Sequence, residues 1–257
     1  YVSWPRCCEC VSLRARQIVT DGRTSSARDL ARARLRPDDS VTAHSWEVTP
    51  AEARQIQQDL KRRVVREDDL GAVRYVAGTD VAFEQGLKTT KGAVAVLSFP
   101  DLVLEEHAIA RRRTSFPYVP GLLSFREIPV LLEAMGKLRR APDLVLCDGQ
   151  GYAHPRRFGL ACHLGVLTGL PTIGVAKSRL IGSHADVPEN KGDWTPLMDG
   201  EERIGAVLRT RVGVRPLFVS TGHRVSLETA IGYTLACLTR YRLPETTRWA
   251  DRLAGQE

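Results

Sequence analysis

The change of hydrophobic period near residue 73 constrains the fold of this chain more than any other feature. Three short β-type runs, VRYVAGTDVAF (73–83), GAVAVLSF (92–99) and LVLEEHAIAR (102–111), follow one another with only short Gly, Lys, Thr, Pro and Asp connections. Connections this short join antiparallel neighbours, so the runs predict a meander. Beyond it strands and helices alternate. A helical stretch over 122–138 leads to the strand DLVLCD (143–148), a helix over 157–167 and the strand PTIGVAK (171–177). Strands over 205–210 and 217–220 and a helix over 226–241 complete the pattern. Alternation of this kind predicts a largely parallel continuation of the same sheet. The expected fold class is α/β: a mixed sheet, an antiparallel meander followed by parallel strands, with helices on both faces.

Order is expected to begin at TPAEARQIQQDLKRRVV. Thr49 caps a helix, Pro50 takes its first position and Glu52 closes a capping box. Ile56, Leu60 and Val64 recur every four residues and predict one buried stripe. Residues 1–45 differ: they carry many arginines, no lysine and no sustained apolar face. They are expected to form a basic, weakly ordered extension without chemistry of its own, leaving residues 46–257 as a single catalytic domain.

Composition narrows the function classes. No window approaches the roughly 18 apolar residues of a membrane span, and the N-terminus lacks the apolar core of a signal peptide. Cys7, Cys8 and Cys10 have no second pair at finger spacing, which argues against zinc. Cys147, Cys162 and Cys237 lie singly in apolar runs and read as core residues in a reducing compartment, so a cytoplasmic monomer is expected. The net charge of +7 favours an anionic partner. Nucleic acid leads; an acidic small molecule, or solubility alone, is the alternative.

Within this frame, two aspartates stand out. Asp80 sits in AGTDVAF on the same side of its strand as Val76 and Ala82. An ionised carboxylate in such company is costly unless a cation or hydrogen bonds stabilise it. Asp148 ends LVLCDGQG, where Gly149 and Gly151 let the backbone turn, and strand ends are where open α/β sheets bind ligands. Each alone is equally a cap for a neighbouring turn. A third acid, Glu127, falls on the intervening helix. Carboxylates from separate elements can hold divalent ions roughly 3.5–4 Å apart for phosphodiester cleavage, and hard oxygen ligands imply magnesium (Mg2+) or manganese (Mn2+). Lys177 ends the strand TIGVA, where a cation can contact phosphate or remain an ordinary solvated strand end. His223, in STGHRVS between a strand and a helix, suits metal ligation or proton transfer, though a loop histidine usually does neither. His154 in YAHPRR stands beside Arg156 and Arg157, which are candidates for phosphate contacts together with Lys61/Arg62 and Arg139/Arg140. His107 and His163 read as structural.

The segments VAGTDVAF, PYVPGLLSFRE, PDLVLCDGQGYAHPRRFGLACHLGVLTGLPTIGVAKSRL and FVSTGHRVSLETAI resemble, in order and spacing, the motifs of the endonuclease V (deoxyinosine 3′ endonuclease) family. The likeness runs from about Trp46 through YRLPETTRWAD and is nearest to bacterial members. It implies a ribonuclease H-like fold. It further implies Mg2+-dependent hydrolysis of the second phosphodiester bond 3′ to hypoxanthine, leaving 3′-hydroxyl and 5′-phosphate ends. Asp80, Glu127 and Asp148 match the family's metal site, His223 a position near it, and Lys177 the scissile region. The Pro117–Tyr118–Val119–Pro120 loop matches its wedge, and Gly121, Leu123, Gly149, Gly151 and Leu180 its base pocket. Two prolines restrict the loop backbone, which suits Tyr118 to prop the gap left by an extruded base. The implied partner is DNA containing deoxyinosine, with inosine-containing RNA as an alternative. Another ribonuclease H-like metal nuclease, or a lesion binder without catalysis, are the competing readings.

Overall fold

The computed structural model describes residues 44–256. The expectations for a weakly ordered extension and for Cys7, Cys8 and Cys10 fall outside the described residues. The ordered chain opens with α1 (Pro50–Leu60), capped as its sequence predicts: Thr49 Oγ1 accepts from the Glu52 amide, and the Glu52 carboxylate accepts from the Thr49 amide at 2.7 Å. The buried positions of α1 are Ala53 and Gln57, whereas Ile56, Leu60 and Val64 are only half-buried. The stripe is thus rotated from the expected one, and the reason is functional: Gln57 turns inward to hydrogen-bond a loop described below.

The meander forms as expected from β1 (Tyr75–Glu84), β2 (Thr89–Ser98) and β3 (Leu104–Arg113), paired antiparallel. Then come α2 (Leu123–Met135), β4 (Leu144–Cys147), α3 (Leu160–Thr168) and β5 (Thr172–Ala176). The chain continues through β6 (Trp194–Asp199), β7 (Glu202–Leu208), β8 (Leu217–His223), α4 (Leu227–Ala236) and α5 (Glu245–Gly255). One eight-stranded sheet results, ordered β3-β2-β1-β4-β5-β8-β7-β6.

The parallel part of this sheet is narrower than the alternation predicts. β4 and β5 run parallel to β1, but β8 lies antiparallel against β5, and β7 and β6 continue antiparallel. β6 and β7 are joined by a tight turn, which dictates antiparallel pairing. β6 was not legible because Pro196 interrupts WTPLMD; as the edge strand of the sheet, it tolerates a residue without an amide hydrogen. The C-terminal helix α5 was missed as well. Its buried positions are Thr246, Thr247, Ala250, Leu253 and Ala254, small or polar residues that give a weak apolar stripe.

Both faces of the sheet are covered. Alternation along β1 and β2 sends Ala77, Val94 and Val96 toward α2 and α3, where Ile128, Leu131 and Leu164 meet them. Val76, Ala93, Ala95 and Leu97 face the other way, toward α4 and α5 with Ile231 and Leu253. Fully burying each such Leu, Ile or Val contributes about 1.5–3 kcal/mol. Cys147, Cys162 and Cys237 are free and buried, as expected of core residues. Among the described residues, no helix is long and apolar enough to cross a membrane.

Candidate active site

The parallel register of β1 on β4 brings the two strand aspartates together. Its last pair is Thr79 with Cys147, so the next residues, Asp80 and Asp148, stand side by side, and the Asp148 amide donates to Thr79 O at 3.2 Å. A third carboxylate comes from α5. Oxygens of Asp80, Asp148 and Asp251 all lie within 4.8 Å of one another. Glu127 does not join that group, because it rides on α2, which covers the opposite face. It is nonetheless buried and feels the charges of both Asp80 and Asp148. Lys177, just past β5, reaches Asp148 Oδ2 at 2.6 Å and Asp251 Oδ1 at 3.5 Å.

So many acids in one place raise the cost of ionising them. Burial, and then Asp148, push Asp80 up to about 7, against the opposing pull of Lys177. Burial, and then Asp80 and Asp148, push Glu127 up to about 8. Burial works against the Lys177 ammonium, but its hydrogen bond to Asp148 and the charges of Asp148, Asp80 and Asp251 outweigh this and raise its pKa. One lysine does not balance the cluster. An all-oxygen donor set with surplus negative charge, and with neither Cys nor His in the group, fits a hard divalent cation.

A pH dependence follows from these shifts. Both carboxyls stay protonated in the fold above their unfolded pKa, so the stability they contribute in acid is lost as pH rises through about 7 and 8. In chelator, the melting temperature is expected to fall over that rise, and to fall less in Glu127→Gln. Saturating Mg2+ should flatten the slope by favouring the ionised forms. An identical slope in wild type and Glu127→Gln would contradict the assignment.

Beside the acids lies a cavity of about 410 Å³. Of the expected base-pocket and wedge residues, Tyr118, Pro120, Gly121, Leu123, Gly149 and Leu180 line it, and it reaches Asp148 and Lys177. Pro117 and Gly151 are not in its wall. Gly151 instead permits close packing: a Cβ there would sit 2.2 Å from Thr221 O. Tyr118 is 71% exposed at the rim, unusual for an aromatic side chain without a protein partner. Its loop is fastened through one carbonyl. Gly121 O accepts from Gln57 Nε2 at 3.1 Å, His154 Nε2 at 3.0 Å and Arg156 Nη2 at 2.6 Å. Gly121 adopts φ +76°, which favours glycine, and a Cβ would meet Arg156 Nη2 at 2.7 Å. His154 is held neutral, its pKa lowered to about 4 by burial and then by Arg156.

The structure does not bring His223 to this site. In the antiparallel pairing of β8 on β5 it faces Thr172 at the start of β5, whereas Lys177 follows the other end, roughly 16 Å away along the strand. His223 Nδ1 accepts from the Val65 amide at 3.2 Å, and burial, then Arg224, lower its pKa to about 4. It holds the segment after α1 and takes no part in the acidic cluster. The basic pairs also divide. Arg139 pairs with Glu106, Arg140 stacks on Tyr75, and Arg157 pairs with Asp199 and Glu202. Arg156 is built into the cavity wall through Gly121. Sequence reasoning missed Asp251 and Gln57; their only signal was a polar residue recurring on a helix face.

A mixed sheet of this order, with carboxylates gathered from β1, the end of β4 and a C-terminal helix beside an open cavity, defines a nuclease of the ribonuclease H-like class. The sequence model of the Endonuclease V family matches residues 58–252. Endonuclease V of Rippkaea orientalis is 58% identical over 206 residues, covering 80% of this chain and 90% of that protein. The crystal structure of Endonuclease V from Streptomyces avermitilis superposes with a TM-score of 0.78 at 48% identity, covering 82% of this chain and 93% of that one. A Ciona intestinalis Endonuclease V variant, solved in complex with a 23mer DNA containing an inosine followed by a ribo-adenosine, gives a TM-score of 0.71 at 31% identity, covering 80% and 97%. The chain belongs to the Endonuclease V family.

Proposed function

We propose that this protein is a repair endonuclease that recognises deoxyinosine in DNA and hydrolyses the second phosphodiester bond 3′ to it, with Mg2+ as its ion and Mn2+ as a substitute. The observation that carries the reading is the continuity of one cavity from the exposed Tyr118 to Asp148 and Lys177. A base leaving the stack beside Tyr118 enters the wall formed by Gly121, Leu123, Gly149 and Leu180 while its strand passes the carboxylates. The relative bound to inosine-containing DNA supports the choice of substrate.

Asp80, Asp148 and Asp251 would hold the ion, with Glu127 adding buried negative charge. When bound, the ion neutralises charge on the phosphate and makes water a better nucleophile. Lys177, kept protonated by the acids around it, donates from Nζ to an oxygen of the scissile phosphate. The nick leaves 3′-hydroxyl and 5′-phosphate ends. Residues 46–257 act as one catalytic domain, and the free buried cysteines support action as a single chain in the reducing cytoplasm.

The test is cleavage of a labelled duplex carrying one deoxyinosine, with Mg2+ and with chelator, beside the same sequence in RNA. A metal-dependent nick one nucleotide beyond the lesion is expected in DNA. Tight binding without a nick would make the protein a lesion binder instead. In Tyr118→Ala, affinity for the inosine duplex should drop roughly 10- to 100-fold, the loss of about 1–3 kcal/mol of base–aromatic stacking. Full retained affinity would reject the wedge role.

A further inference from the structure

We propose that Ser124 reads the lesion base as a hydrogen-bond acceptor, and that a relay of His44 and His163 fixes this polarity. The inference rests on the deoxyinosine reading and adds to it a residue that discriminates between bases. His163, on α3, is fully buried and ringed by Trp46, Phe125 and Phe158, with centroids 5.1–5.5 Å away. Such a place suits a hydrocarbon, yet both ring nitrogens are partnered. Nε2 lies 2.8 Å from His44 Nε2, and Nδ1 lies 3.0 Å from Ser124 Oγ.

The proton positions follow from one end of this chain. His44 Nδ1 is 2.7 Å from the Ser45 carbonyl oxygen, which only accepts, so the hydrogen sits on His44 Nδ1. Burial lowers the pKa of both histidines, that of His163 well below its ordinary value, so both rings are neutral near pH 7. A neutral His44 with its hydrogen on Nδ1 presents a lone pair at Nε2. His163 must then donate from Nε2, which leaves a lone pair on its Nδ1. That lone pair accepts from Ser124, so the hydroxyl hydrogen points away from the cavity.

Ser124 stands in the first turn of α2 and lines the cavity beside Leu123. With its hydrogen committed to His163, the hydroxyl offers a base only lone pairs. Hypoxanthine carries a donor, N1–H, where adenine carries an acceptor, N1. An acceptor in the wall rewards the deaminated base and leaves a bare N1 facing another lone pair. A site built this way rejects a base that lacks the donor more strongly than an apolar wall rejects an extra group.

The experiment compares kcat/KM for nicking duplexes carrying deoxyinosine or deoxynebularine, a purine without O6 and with a bare N1. In Ser124→Ala the inosine-to-nebularine ratio is expected to fall about tenfold, the size of one neutral hydrogen bond. His163→Asn, whose Oδ1 replaces the Nδ1 lone pair, should keep the ratio within about threefold of wild type, whereas His163→Phe, which fills the aromatic space without an acceptor, should lower it. A merely structural role would slow both substrates equally and leave the ratio unchanged, and that result overturns the proposal. Wild-type protein that nicks neither duplex would instead remove the substrate reading, and the proposal with it.

Discussion

Asp148→Asn is expected to slow nicking of an inosine-containing duplex at saturating Mg2+ by on the order of 10²–10³-fold, the usual cost of removing one electrostatic stabiliser from an active site. The variant should still fold. Asparagine keeps the shape of the side chain, and the charge it removes is one that raises the pKa of both Asp80 and Glu127. Relief of that repulsion offsets the lost ion pair with Lys177, which is 42% exposed and contributes little to stability in water. In chelator, the melting temperature of Asp148→Asn is therefore expected to equal or exceed that of wild type. Single-turnover nicking and thermal melts on the same preparations check both halves. Nicking near the wild-type rate would place the metal site elsewhere. A melting temperature well below wild type would mean that Asp148 is primarily a structural partner of Lys177.

The site was legible where a residue type contradicted its local surroundings. Asp80 and Asp148 are charges in apolar strands, and Pro117 and Pro120 stiffen a loop around an aromatic that has nothing to pack on. Such contradictions are visible in one dimension because hydrophobic period sets the expectation they break. Adjacency was not visible. Asp80 meets Asp148 only because β1 pairs parallel with β4 in a register that ends at Thr79 and Cys147. The same dependence on strand direction misled the reading of His223. Had β8 run parallel to β5, its C-terminal end would lie beside Lys177; because it runs antiparallel, that end lies at the far side of the sheet.

Residues that act through small or polar helix faces were the hardest to read. Gln57 lies one position from the Ile56, Leu60 and Val64 series, and only the three-dimensional position of Gly121 O explains why it turns inward. Asp251 lies on a helix whose buried face is threonine, alanine and leucine, too mixed to announce itself. What makes such a face workable is the partner surface. α5 approaches β1 closely because the strand offers a glycine there, and this ties the packing of a helix to the geometry of a metal ligand.

That link predicts the effect of Gly78→Ala, a change far milder in chemistry than in consequence. A Cβ at position 78 would lie 2.0 Å from Thr246 O and 2.7 Å from the Thr247 amide nitrogen. These are backbone atoms in the first turn of α5, so no side-chain rotation relieves the clash, and the helix must move away from the sheet. At its other end α5 is held by Lys91, a buried lysine on β2 whose Nζ donates to Gln256 O. Lifting the first turn against this hold pivots the helix and carries Asp251 away from Asp80 and Asp148. Overpacking of this kind costs about 1–3 kcal/mol. Displacement of a ligand's support is expected to weaken Mg2+ binding about 10- to 100-fold. The two losses separate experimentally: melting in chelator reads the packing, and the Mg2+ concentration for half-maximal nicking reads the ligand. Destabilisation with an unchanged Mg2+ requirement would show that Asp251 is not part of the ion's coordination. A shift in both, with nicking recovered at high Mg2+, would establish that the approach of α5 to Gly78 sets the position of the third carboxylate.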